Sequence, residues 1–344
     1  MSYKSELEGN NVDLRAILDT VNSLPEAGGG GIIPTGTMQI TENGTYNVTE
    51  YATAKVEVPT SGGGSEEGWI GDGNTHIWIN LVEGRTSPVL GCCPNGTVTV
   101  DWGDGTAKDT LTGTSIAKVK WTPNHNYAAP GEYVITLTVS GSMGFVSTDN
   151  KSILLRQSYS EDDFRNYAYR NAVQKVEFGT SVTTIGGSAF RGCYSLTSVN
   201  ISDSVDWIAT YSFADCYSLT SVNIPGSVTT FDYSVFHSCY GLTSANISDG
   251  VTSIGTSVFA YCYSLTSVNI PGSVTAIDDA AFKSCYGMAR LRFKGTTPPA
   301  VSSSSTFSGI PNDCIISVPV GSLAAYTSAT NYPSASTYTY IEED

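Results

Sequence analysis

The sequence predicts a mainly β protein whose C-terminal half is a solenoid of 23-residue repeats. Three observations predict it. Phe190, Phe213, Phe236, Phe259 and Phe282 stand 23 residues apart, and Cys193, Cys216, Cys239, Cys262 and Cys285 keep the same step. Upstream of them, apolar residues alternate with a period of two between Gly- and Asp-rich turns, as strands do. Helical spacing is found instead at residues 1–25.

Composition narrows the function. The 344-residue chain has 17 Lys+Arg against 32 Asp+Glu, a formal net charge of -15. Phosphate binding needs clustered cations, so nucleic acid and anionic membranes are excluded as partners. Only 14% of residues are charged, whereas Gly (35) and Tyr (20) are abundant. Polarity therefore rests on hydroxyls and amides, a surface suited to sugars or proteins. No stretch reaches the ~20 apolar residues of a membrane-spanning helix, so no insertion is expected. The opening MSYKSELEGNNVDLRAILDTV has neither a basic nor an apolar leader region, and no secretory signal is expected.

In chain order, four segments follow: 1–31, 32–68, 69–155 and 156–344. In the first, Leu14, Ile17, Leu18 and Val21 fall at i, i+3, i+4 and i+7, and Pro25 stops the helix. This apolar face is expected to be an oligomerising or docking surface, because nothing nearby in sequence offers it a core. Gly28–Gly31 is a flexible linker. In the second, Ile40, the Asn43-Gly44 turn, Tyr46, Val48, Val56 and Val58 read as a small β module. Its string ITENGTYNVTEYATAKVEV resembles a module of tail and fibre proteins of phages of Gram-positive bacteria.

In the third segment, strands are expected around Ile77, Ile79 and Leu81, around Val98 and Val100, at Val119, and around Tyr133, Ile135, Leu137 and Val139. The VTVDWGDGT string from Val98, with His125-Asn126-Tyr127 and Pro130-Gly131-Glu132-Tyr133, resembles a PKD-type immunoglobulin-like sandwich. Asp101, Gly103, Asp104 and Gly105 suit a tight turn with Trp102 in the core. A calcium site on Asp101 and Asp104 is the weaker reading, because few other oxygen ligands are in view.

The fourth segment reads F-x-x-C-Y-x-L-x-x-V-N-I-x-x-x-V-x-x-I per unit. L-T-S-V-N-I carries strand alternation, V-T-S-I a second short extended piece, and Gly, Asp and Ser the corners. One unit cannot bury both pieces, but stacked units can. The units from Phe190 to Phe293 resemble the BspA-like leucine-rich repeat proteins. That resemblance implies a solenoid that binds and carries no shared active site. A degraded unit around Tyr167, Val173, Val176 and Phe178 is expected to cap one end. The register breaks at Thr297-Pro298-Pro299, and the segment from Phe307 is expected to cap the other.

Two ladders bear on function. The Cys ladder reads as buried packing residues or as metal or redox chemistry. Sulfurs one strand spacing apart, roughly 4.8 Å, are too far apart to bond, and no C-x-x-C pair exists, which favours packing. The tyrosines Tyr194, Tyr217, Tyr240, Tyr263 and Tyr286 either shield an edge by packing on one another or form a contact stripe. Between Gly192 and Phe282 there is no Lys or Arg, against seven Asp. Residues that vary between units, among them Tyr211, Tyr233 and His237, lie off the core pattern and join the expected binding surface. The histidines His76, His125 and His237 stand in no recognisable catalytic arrangement, so no catalytic residue, metal or cofactor is expected.

These readings describe a non-enzymatic binding protein. The expectation is a virion-associated adhesin or structural protein, tail- or head-fibre-like, assembled in the host cytoplasm. Its helix would join it to itself, as a homo-oligomer, or to other virion proteins. Its solenoid would bind a bacterial surface glycan or protein. The alternative is a bacterial cell-surface adhesin with BspA-like repeats.

Overall fold

Alternating burial shapes the first strands. The structure, a computed structural model, describes residues 71–83, 86–145, 155–156 and 170–344. The expected helix with Leu14, Ile17, Leu18 and Val21, the glycine linkers and the module at 32–60 lie outside the described residues. All described residues belong to one compact unit, Ser65–Asp344. Strands β1 (Thr75–Leu81), β2 (Val89–Asp101), β3 (Asp109–Thr114), β4 (Lys120–Trp121), β5 (Gly131–Phe145) and β6 (Leu155–Arg156) come first. β2 runs antiparallel to β3, β4, β5 and β6, and β1 runs antiparallel to β5. Ile77, Ile79, Val98, Val100, Ile135 and Leu137 are buried, as their period of two requires. Trp102 is buried, its ring stacked on His125 with centroids 4.4 Å apart, and Tyr127 Oη donates to its carbonyl at 3.0 Å.

The repeats build two parallel ladders. The first runs through β7 (Val173–Glu177), β9 (Ser198–Asn200), β11 (Ser221–Ile224), β12 (Ser244–Ile247), β14 (Ser267–Ile270), β16 (Arg290–Phe293), β18 (Ile315–Pro319) and β19 (Thr339–Glu343). Its register steps one repeat at a time: Ser221 pairs with Ser244, and Ser244 with Ser267. The V-T-S-I pieces form the second, through β8 (Val182–Ile185), β10 (Trp207–Ile208), bridges at Thr230 and Phe231, β13 (Ser253–Ile254), β15 (Ala276–Ile277) and β17 (Ala300–Val301). The first-ladder strands begin at Ser198, Ser221, Ser244 and Ser267, later than the leucines where the sequence opens them. The cause is a turn: Leu196, Leu219, Leu242 and Leu265 each donate N–H to the carbonyl of the Cys three residues back. The earlier strands and the solenoid are joined by strand pairing. β1 pairs antiparallel with β7, and β5 pairs parallel with β8, so one sheet runs through both.

Between the ladders lies the phenyl column. Phe190, Phe213, Phe236, Phe259 and Phe282 are fully buried, with successive centroids 5.2, 5.4, 5.6 and 5.6 Å apart. Phe307 extends the column at 6.0 Å. The register break therefore adds two residues, one before Ala300, which pairs with Ala276, and one between Val301 and Phe307, and neither interrupts the stack. The short helix α1 (Leu323–Thr327) buries Tyr326, whose ring meets Phe293 at 5.0 Å and whose hydroxyl donates to Gly295 O at 2.7 Å.

Each unit also makes two left-handed corners. One falls on Ser188, Tyr211, Ser234, Ser257 and Ala280, with φ of 57°, 58°, 58°, 57° and 55°. The other falls on Gly192, Asp215, Ser238, Tyr261, Ser284 and Gly309, with φ of 71°, 62°, 60°, 63°, 60° and 86°. A Cβ crowds the following carbonyl in this conformation, whereas glycine adopts it freely. Ala280→Gly is therefore expected to stabilise the fold by about 0.5–1 kcal/mol after the added unfolded-state entropy is counted. Thermal melting checks it: the midpoint should rise, and a fall would show that the Ala280 methyl matters more than the corner.

Candidate functional site

The solenoid's outer surface follows from the strand alternation that builds its core. On the first ladder Val222, Ala245 and Val268 turn inward, so Ser221, Asn223, Ser244, Asn246, Ser267 and Asn269 face solvent in rows. Beside them runs a threonine row. Thr197, Thr220, Thr243 and Thr266 donate their hydroxyls to the carbonyls of Gln174, Thr197, Thr220 and Thr243 at 3.0–3.2 Å. Those donors serve the stack itself.

The five tyrosines form a second column. Successive centroids from Tyr194 to Tyr286 lie 4.7, 4.7, 4.9 and 5.4 Å apart, with ring planes within 19° of parallel. Of the two readings open at the sequence level, the geometry shows the packing one. The rings pack on one another, so their faces are covered. Their edges look outward, with Tyr240, Tyr263 and Tyr286 exposed by 37%, 40% and 50%. This column can offer phenol edges to a ligand, but along most of its length no free ring face. Burial raises the Tyr217 phenol, so it stays protonated at physiological pH.

The variable positions gather beside this column. The Arg191 guanidinium lies 4.8 Å from the centre of the Tyr211 ring and pairs with Asp215 at 3.2 Å. Tyr211 meets Tyr233 edge-on at 5.1 Å, and burial raises its phenol to about 12. His237 packs on Tyr261 at 5.1 Å and shares a 2.9 Å hydrogen bond with Ser238 Oγ. Burial lowers the His237 imidazole, leaving it neutral at pH 7. The stretch from Gly192 to Phe282 thus carries no positive side chain at that pH.

Trp207 is the residue the sequence reading missed. It stands on the outer face of the second ladder and is 45% exposed, next to Thr184 and Thr230 in its row. Its Nε1–H donates to Asp232 Oδ2 at 3.1 Å. The signal was present in the sequence: Ser253 and Ala276 fill the equivalent positions of later units, so Trp207 is a large aromatic in a row of small residues.

The cysteines turn inward. All eight are buried, and none is in a disulfide. Within the ladder Cys216, Cys239, Cys262 and Cys285 direct their thiols at the carbonyls of Phe190, Phe213, Phe236 and Phe259, at 3.2–3.3 Å. In the earlier strands Asp101 accepts from Gly103 N and pairs with Lys108 at 2.9 Å. Asp104 accepts from Thr106 and pairs with His125 at 2.8 Å. These carboxylates serve the turn, as expected for a tight loop. Among the described residues, no group of three or more His, Cys, Asp or Glu is arranged to hold a metal. No helix among them is long and apolar enough to cross a membrane.

Comparison with known proteins places the repeat. Residues 162–289 match, in six copies, the family described as BspA type leucine rich repeat region. Among solved structures, a leucine-rich repeat protein of T. pallidum is similar at 28% identity and TM-score 0.38, over 42% of this chain and 68% of that one. A leucine-rich repeat protein of Eubacterium ventriosum is 16% identical at TM-score 0.35, over 40% of this chain and 42% of that one. A leucine rich cell surface protein of Faecalibacterium prausnitzii is 20% identical at TM-score 0.27, over 46% of this chain and 63% of that one. The chain thus spans less than two thirds of the last two. No curated protein matches it.

Proposed function

We propose that the chain is a non-enzymatic recognition protein, a bacterial cell-surface adhesin whose BspA-type solenoid binds a glycan or protein. The observation that carries this reading is the regular outer surface of the repeats. Ser, Asn and phenol edges recur there in rows on a rigid backbone, and no positive charge interrupts them. The buried thiols and the committed carboxylates support a role without catalysis. A phage virion role, expected from the sequence, rests on residues 1–60, which lie outside the described ones, and the family match does not extend to it. The repeat family accords with the cell-surface alternative. The strands from β1 to β6, sharing a sheet with the solenoid, then serve as a stiff mount, and the likeness to PKD-type domains fits that use.

The test must separate recognition from packing. Replacing Tyr217, Tyr240 and Tyr263 by Ser would break the four stacked contacts of the column, each worth about 0.5–1.5 kcal/mol beyond area burial, and would confuse the two. Replacing all three by Phe keeps the column and removes its hydroxyls. Flow cytometry of labelled full-length chain on bacterial and epithelial cells is expected to show binding that changes little with salt, because the contact surface is lightly charged and its phenol, Ser and Asn groups are neutral. The triple Phe variant should melt near the wild type and bind about tenfold more weakly. If it folds and binds normally, the column is not the contact surface.

A further inference from the structure

We propose that Trp207 and Asp232 form a binding platform for a neutral pyranose unit of a glycan, separate from the tyrosine column. The argument begins with which aromatic faces are available. The column tyrosines cover one another, whereas Trp207 and Tyr233 are 45% and 44% exposed and stack on no parallel ring among the described residues. The indole rises from a row of small residues: Thr184 and Thr230 flank it, and Ser253 follows. Such neighbours leave room beside the ring for a flat ligand. The hydrogen bond to Asp232 pins the indole by its one polar atom, so little side-chain entropy is lost on binding. A fixed, half-exposed tryptophan on a strand is not needed by the repeat, since other units fill the position with Ser or Ala.

The surrounding chemistry selects the ligand. A pyranose presents axial C–H groups of slight positive charge, which the negative face of an indole attracts. Asp232 uses Oδ2 for the indole, and Oδ1 takes no hydrogen bond from the described residues, so it can accept sugar hydroxyls in charge-assisted bonds. Tyr233 is adjacent in sequence and stands edge-on to Tyr211, whose backbone N–H donates to Tyr233 O at 3.1 Å. Charge excludes acidic sugars. Arg191, the nearest cation in sequence, is engaged by Asp215 and the Tyr211 ring, and His237 is neutral. A uronate or sialyl group would meet Asp232 with no compensating charge.

Affinity electrophoresis of the full chain through gels containing mannan, mixed-linkage β-glucan, galactomannan or anionic alginate tests this. At least one neutral polysaccharide should retard the protein, and alginate should not. Trp207→Ala should remove the retardation, Asp232→Asn should weaken it about tenfold, and Trp207→Phe should keep part of it. The Tyr217, Tyr240 and Tyr263 triple Phe variant should migrate as the wild type does. If Trp207→Ala lowers the melting point, Trp207→Phe and Asp232→Asn decide the question. The proposal is overturned if no neutral gel retards the wild type, if alginate retards it as strongly, or if the Trp207 and Asp232 variants are retarded equally. Cell binding separates this from the adhesin reading. A chain that binds cells without Trp207-dependent retardation overturns the platform alone; one retarded through Trp207 that binds no cell overturns the adhesin reading alone.

Discussion

Phe236→Ala should destabilise the solenoid by about 3–5 kcal/mol, the cost of emptying a large buried site that cannot close. The ring sits between Phe213 at 5.4 Å and Phe259 at 5.6 Å, fully buried. Its neighbours are held from above and below by their own units, so the hole cannot relax by collapse. Stability of a stacked array is a sum of units and interfaces, and this substitution weakens one unit and both of its interfaces. Urea unfolding followed by circular dichroism should show the midpoint falling, with Phe236→Leu falling less. A loss of about 0.5 kcal/mol, the size of a surface substitution, would mean the column is not the core.

The thiols should give the second large effect. None of the eight cysteines should react with dithiobis(nitrobenzoate) at pH 8 within minutes, and all eight should react in guanidinium. The thiolate is the reactive species, and burial raises Cys193 and Cys92 to about 12 and Cys314 to about 11. A thiol that titrates quickly in the native protein would contradict the buried ladder. The same shifts set an alkaline limit. In the fold Cys193 holds its proton to about 12, while the unfolded chain releases it at the ordinary thiol value of about 9. Its contribution is fully present below pH ~9 and is lost as pH rises from there toward 12.

Much of this fold was legible because identical surroundings recur. Phe, Cys, Leu, Val and Ile at one 23-residue step each report one buried position, so the stack, its parallel register and its inward cysteines could be read from spacing. What escaped was whatever departs from that rule. Left-handed corners at Ser188, Ser234 and Ser257 are hidden, because serine gives no conformational signal there. The thiol-to-carbonyl bonds depend on a neighbouring turn rather than on the residue itself. The sheet shared by β1 and β7 joins segments about 100 residues apart with no common motif. In the candidate site, the tyrosine column was visible as a period but its covered faces were not, since ring orientation is set by packing. Trp207 occurs once, and periodic analysis averages a single residue away.

The antiparallel seating of β1 on β7 gives the stack a sense of direction. A parallel ladder is otherwise an open template, able to accept a further strand at either margin. With β1 in place, one margin is occupied by a strand of opposite polarity that no repeat can imitate. An additional copy of the unit can enter only within the array or beyond it. Each copy would then move the earlier strands and α1 apart by one strand spacing, ~4.8 Å, while leaving the contacts of every other unit as they are. Copy number in such a molecule works as a ruler: it sets reach, leaving the chemistry of each turn unchanged.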